Sequence, residues 1–311
     1  MSNAQTSPRP DPAGTDERRY VLTLGCPDRT GIVAAISGFL AEIGGWITEA
    51  AYHSDPTSGW FFTRQAVRAD SVALNVEQVR ERFAAVADGL GPETEWRLTD
   101  TGTEKSAVLL VSRDSHCLSD LLSRAARGEF PAAIRAVVGN HRDLQPLAEH
   151  YGVPFHHVPF PSAADGTPEE RAAAKTAAFG RLREIVDAYR PDAVVLARFM
   201  QILPPELCEA WAGRAINIHH SFLPSFVGAR PYHQAFERGV KLIGATCHYV
   251  TADLDAGPII EQDVIRINHD YSAADMVRQG RDIETLVLAR GARWHLEDRV
   301  LVHGRKTVVF A

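Results

Sequence analysis

The chain is poor in cysteine and has no cysteine pair. Cys26, Cys117, Cys208 and Cys247 stand far apart in the sequence. Their spacing excludes paired-cysteine zinc frameworks and offers no disulfide scaffold. Each thiol lies in or beside an apolar segment, so each is expected to be a buried, reduced, small hydrophobe. Long hydrophobic runs are also missing, none approaching the ~18 residues of a bilayer span. The N-terminus lacks the basic-then-apolar pattern of a secretion signal, and a cytoplasmic location is expected. Positive charge is in deficit, with 33 Lys and Arg against 39 Asp and Glu. That balance argues against a broad nucleic-acid footprint. No His-x3-His or carboxylate–His ligand set is evident, and no metal is expected.

What is present fits a soluble α/β protein of two domains. The 311 residues are 45% hydrophobic and 23% charged, enough for two separate cores. Residues 1–18 are rich in Pro, Ser, Ala and Asp and are expected to be disordered. Residues 19–99 read as βαββαβ. Strands are expected over 19–25, 46–53, 60–68 and 93–99, and helices over 31–43 and 76–90, from their apolar spacing. Asp28 or Thr30 is available to cap the first helix, and Gly44-Gly45 ends it. Residues 100–105 form a polar linker. From 106 to 311 strands and helices alternate, as a doubly wound, mostly parallel sheet requires. Ala107–Val111 and Ala193–Ala197 are all-apolar strands suited to burial on both faces. Thr167-Pro168-Glu169-Glu170 opens a long helix ending at Tyr189. A second long helix spans 272–297, and a hairpin closes the chain.

One stretch carries the chemistry. Ala215-Ile216-Asn217-Ile218-His219-His220-Ser221-Phe222-Leu223-Pro224 ends a strand with an amide and an imidazole two residues apart. Strand side chains alternate, so Asn217 and His219 share a face and His220 is expected on the other. An Asn and a His converging on one spot can polarise a carbonyl and hold the oxyanion formed on attack. Asp255, in Asp253-Leu254-Asp255-Ala256-Gly257-Pro258, offers the carboxylate that completes the set.

These residues resemble a known family. Asn-x-His-x-Ser-x-Leu-Pro followed by Asp-x-Gly-Pro-Ile-Ile is similar to the folate-dependent formyltransferase fold. Arg214–Ala235 and Gly239–Asp263 resemble one branch of it, the formyltetrahydrofolate deformylases. The resemblance implies hydrolysis of 10-formyltetrahydrofolate to formate and tetrahydrofolate, with formate available for purine synthesis. It implies catalysis by Asn217, His219 and Asp255, with the folate as substrate and no cofactor. The segment Phe199-Met200-Gln201-Ile202-Leu203 matches the stretch that holds the pterin ring; His220 and Ser221 are further candidate folate contacts, and His233 and His248 further candidate lining residues. Residues 19–99 resemble an ACT module, a ferredoxin-like regulatory domain. Its loop Asp28-Arg29-Thr30-Gly31 is then a candidate effector site, with methionine or glycine the implied ligands and a homo-oligomer the implied assembly. Three other readings are open. Transferases acting on glycinamide ribonucleotide carry a Gly-rich phosphate turn after the first strand; here Ser112–Leu118 has no glycine, and Asp114 is expected to repel phosphate. Transfer to methionyl-tRNA would need a basic appendage that is not evident. A non-catalytic folate or amino-acid sensor is opposed by the intact Asn217, His219 and Asp255.

Overall fold

The computed structural model describes residues 18–311 apart from 163, 165 and 226–230. Residues 1–17, expected to be disordered, lie outside the described residues. The chain divides between Thr103 and Glu104 into two compact units.

The first unit follows the expected order: β1 (Arg19–Pro27), α1 (Ile32–Glu42), β2 (Ile47–Asp55), β3 (Trp60–Arg68), α2 (Val76–Leu90) and β4 (Glu95–Asp100). Its antiparallel sheet runs β2-β3-β1-β4. Ile32, Ile36, Phe39 and Leu40 of α1 pack with Val79, Phe83 and Leu90 of α2 against Leu22, Leu24 and Leu98 of the sheet. Two local expectations are corrected. Helix α1 has no side-chain cap; its N-cap is Gly31, in the left-handed region at φ 92°. The Asp28 carboxylate instead accepts a hydrogen bond from the Ser54 hydroxyl. Arg18 and Asp100, expected in a disordered terminus and a linker, bind one another, with Arg18 Nε 2.9 Å from Asp100 Oδ1. Asp100 is buried as the last residue of β4.

The second unit opens with β5 (Ser106–Val111), α3 (His116–Ala126), β6 (Ala133–Gly139), α4 (Gln145–His150) and β7 (Phe155–His157). It continues with α5 (Pro168–Tyr189), β8 (Ala193–Leu196), α6 (Pro205–Ala210) and β9 (Ala215–His219). Then come α7 (Pro231–Glu237), β10 (Leu242–Tyr249), β11 (Ile259–Arg266), α8 (Ala273–Leu296), β12 (Val300–His303) and β13 (Lys306–Val309). The seven-stranded sheet is ordered β11-β10-β9-β8-β5-β6-β7. Strands β5 to β9 are parallel, and β10 is antiparallel to both its neighbours. Alternation along β5 explains its apolar run. Ala107, Leu109 and Val111 enter a core with α3 and α8, while Val108 and Leu110 enter the opposite core with α5 and α6. Helix α5 begins with the expected cap: Thr167 and Glu170 form a reciprocal capping box with Pro168 at the first turn. All four cysteines are free and buried, as their apolar surroundings predict. Among the described residues no helix is long and apolar enough to cross a membrane.

The strand order reverses beside β5: β6 and β7 extend one way, and β8 and β9 the other. Such a switch point opens a crevice at the carboxyl ends of the strands. Ser112 after β5 and Met200 after β8 meet there, the Met200 N–H donating to Ser112 Oγ at 2.9 Å.

Candidate active site

The reactive groups stand on one face of β9. Ile216 and Ile218 turn into the core, leaving Asn217 and His219 on the other side with Ala215. The antiparallel neighbour β10 sets His248 directly opposite Asn217. The His248 Nδ1–H donates to the Tyr249 carbonyl at 2.9 Å, which leaves Nε2 to accept from Asn217 Nδ2 at 3.2 Å. This fixes the imidazole tautomer and the amide orientation together. Burial holds His248 below the usual histidine range.

Asp255 arrives from the loop between β10 and β11. That loop folds back so tightly that a Cβ on Gly257 would fall 1.8 Å from the Tyr249 carbonyl oxygen, so only glycine fits. Asp255 itself is in the left-handed region at φ 54°, an uncommon conformation of the kind that clusters at functional sites. Its Oδ1 lies 3.3 Å from His219 Nδ1 and 3.9 Å from His248 Nε2. Burial by itself raises this carboxyl; the hydrogen bond from His219 and the surrounding histidines more than offset it, and Asp255 ends below the usual range. It is therefore ionised at neutral pH. His219 is 5% exposed, and its Nε2 has no hydrogen-bond partner among the described residues. A buried polar atom without a partner is uncommon and marks a position awaiting one. The turn after His219 is pinned by Thr246: its Oγ1 donates to the Ser221 carbonyl and accepts from the Leu223 N–H and Gln262 Nε2.

Asn217, His219, His248 and Asp255 line a cavity of about 620 Å³. Phe199, Met200, Gln201, Ile202 and Leu203, the segment that the family resemblance singles out, line it too. Phe199 and Leu203 are buried and anchor this loop, whereas Met200 and Ile202 are exposed at 57% and 61%. The loop thus presents apolar side chains and backbone at the mouth, suited to a flat heteroaromatic ring. His220 corrects the alternation argument. It lies past the end of β9 and lines the same cavity, its ring 5.2 Å from that of His219. Burial and the neighbouring Arg198 push it down to about 4. His233 also lines the cavity. Ser221 does not; its hydroxyl donates to the Ser225 carbonyl at 2.7 Å.

Sequence reasoning missed a second cluster in this cavity. Glu284 of α8, 1% exposed, accepts from the Tyr232 hydroxyl at 2.7 Å. It also contacts His116 Nε2 at 2.9 Å and Arg198 Nε at 3.3 Å. Burial raises its carboxyl, but His116 and Arg198 bring it below the usual range, so it is a buried anion. Arg198 also meets Asp114 at 3.1 Å, and Arg281 reaches Asp114 at 3.4 Å. Asp114 is therefore neutralised rather than a free repulsive charge, which weakens that part of the case against a phosphate. His116, Cys117 and Glu284 bring ligand atoms within 4.8 Å of one another. They do not suit a metal, because the carboxylate is already shared by three donors and Arg198 places a fixed cation beside it. Burial also pushes the Cys117 thiol well up, away from the thiolate a metal needs.

A sequence model described as formyl transferase matches residues 105–291, so the chain belongs to the formyl transferase family. Within it, a formyltetrahydrofolate deformylase of Bacillus subtilis is 43% identical over 95% of each chain. A formyltetrahydrofolate deformylase from Pseudomonas syringae pv. tomato superposes with a TM-score of 0.90 at 53% identity, covering 96% of each chain. A glycinamide ribonucleotide transformylase 1 of Symbiobacterium toebii aligns with 69% of this chain and 98% of its own, at TM-score 0.61 and 28% identity. The chain belongs to the formyltetrahydrofolate deformylase family.

Proposed function

We propose that this protein hydrolyses 10-formyltetrahydrofolate to formate and tetrahydrofolate, and that Asn217, His219 and Asp255 carry the chemistry. The observation behind this reading is the pairing of His219 Nδ1 with the Asp255 carboxylate while His219 Nε2 has no partner among the described residues. Asp255 holds the proton on Nδ1, so Nε2 presents a lone pair as a general base. Water gives a proton to Nε2 and adds to the formyl carbon. The carbonyl oxygen becomes an oxyanion beside an Asn217 amide N–H and the newly formed imidazolium. Collapse breaks the carbon–N10 bond; N10 takes the proton from His219, and formic acid releases its own proton to solvent. The backbone of Gln201, Ile202 and Leu203 pairs with the polar edge of the pterin, with the segment Phe199–Leu203 around the ring. Water and the folate suffice, with no cofactor. Incubation of the pure protein with 10-formyltetrahydrofolate, with and without excess glycinamide ribonucleotide, tests the assignment. Formate is the expected product in both; stoichiometric formylglycinamide ribonucleotide would show a transferase.

The first unit is proposed to be an ACT module that regulates and assembles a cytoplasmic homo-oligomer, with the formate serving purine synthesis. Asp28, Arg29 and Gly31 border a hollow at the start of α1, with Ser54 and Phe61. Backbone N–H groups at a helix start can hold the carboxylate of methionine or glycine. Titrating either amino acid into wild type and an Arg29→Ala variant while following hydrolysis tests this; an equal response in both places the effector elsewhere.

A further inference from the structure

Tyr232 and Glu284 lie in the cavity yet have no part in the chemistry above. A chain of contacts leads to them from the reacting groups. Asp255 meets His219, the His219 ring is 5.2 Å from that of His220, and the His220 ring is 6.2 Å from that of Tyr232. Tyr232 is 7% exposed and its hydroxyl donates to Glu284 Oε1. Its ring lies against Gly280 of α8, where a Cβ would come 2.1 Å from Tyr232 Cζ. Glycine inside a helix costs about 1 kcal/mol relative to alanine, and here it makes the seat for that ring. Glu284 is itself fixed by His116 and Arg198, from two other walls of the unit. A buried ionic network adds little net stability over an apolar one of the same volume. What this network does is hold one aromatic ring in one place beside His220, the neighbour of the catalytic His219.

We propose that Tyr232, seated on Gly280 and tied to Glu284, is the acceptor gate of this cavity: it closes the space beside His220 to nucleophiles larger than water. This rests on the hydrolytic reading above. An attacking amine must carry its carbon substituent behind the nitrogen, and the Tyr232 ring, which lines the cavity 6.2 Å from the His220 ring, takes the room such a substituent would need. With the ring removed the same site supports transfer. The amine nitrogen adds to the formyl carbon, the carbon–N10 bond breaks, and the proton lost by the amine passes through His219 to N10. The products are an N-formyl amine and tetrahydrofolate.

The test is the partition of product in the presence of excess glycinamide, a small primary amine, comparing wild type with Tyr232→Ala and Tyr232→Phe. Formate from the wild type alone checks the hydrolytic reading separately. The ratio of formylglycinamide to formate is expected to rise ~10-fold or more in Tyr232→Ala, the scale at which a pocket discriminates by size. Tyr232→Phe keeps the ring and is expected to keep the wild-type ratio. Tyr232→Leu, which leaves an apolar side chain at this buried position, gives the same reading if the alanine variant does not fold. A ratio in the shortened variants within about twofold of wild type, or an equal rise in Tyr232→Phe, would overturn the gate.

Discussion

Two clusters share one cavity and differ in how completely their polar atoms are satisfied. Around Glu284 the carboxylate is saturated by Tyr232, His116 and Arg198, and Arg198 is further held by Asp114. Around Asp255 the carboxylate meets two imidazoles, and His219 Nε2 is left without a partner among the described residues. Burial alone does not separate them, because Glu284 and His219 are both almost inaccessible. Spare hydrogen-bonding capacity does. A saturated ion fixes walls; an unsaturated base next to a fixed carboxylate has a proton still to move.

The sharpest way to break the contrast is to disable the unsaturated cluster without disturbing the saturated one. Asp255→Asn is nearly isosteric but no longer holds the His219 proton as a charged acceptor, and turnover should fall ~10³-fold. Melting temperature and folate affinity should stay near wild type. Half the wild-type rate would remove Asp255 from the mechanism. His219→Ala, which removes the base that Asp255 orients, should lower turnover at least as much, and Asn217→Ala by on the order of 10². The double variant should lose less than the product of the two, since both act on one developing charge. Full additivity in that cycle would count against a shared oxyanion.

Glu284→Gln attacks the saturated cluster. It should act first on stability, by about 3 kcal/mol, because Arg198 loses a buried counter-charge. Thermal or urea unfolding measures it, and a change below about 0.5 kcal/mol would mean that the carboxylate is not the tie between these walls.

His220 stands between the clusters and supplies a pH test. Its folded-state value is about 4 against an ordinary 6.5, so the unfolded chain binds a proton that the folded site refuses. Stability is then fully present above pH 6.5 and is lost as pH falls toward 4. The partly buried ring should account for roughly 2 kcal/mol of that loss. His220→Asn should flatten stability over this window; an unchanged slope would mean that His220 protonates freely in the fold.

Local signals carried much of this protein. Val76–Leu90 and Pro168–Tyr189 have the expected bounds because each starts at a side-chain cap and buries one regular stripe. Strand alternation places Asn217 and His219 on one face, and Gly257 marks where the Asp255 loop must fold back. Pairing between distant residues was not legible. Asp114 reads as a repulsive charge until Arg198 and Arg281, 84 and 167 positions away, are brought to it. His248 joins the site through the register of β9 with β10, which periodicity does not contain. Glu284 looks like one more polar residue on a long helix, and the local pattern does not announce α7, a short helix beginning at Pro231. Asp28 resembles a helix cap, but the donor it meets, Ser54, comes from β2.

The most direct measurement is a single turnover in H₂¹⁸O with enzyme in excess over 10-formyltetrahydrofolate, followed by mass spectrometry of the formate. General-base attack by water predicts one solvent oxygen in every formate formed. Formate without solvent oxygen in that first turnover would mean that the Asp255 carboxylate attacks the formyl carbon itself, and would contradict a base acting through His219.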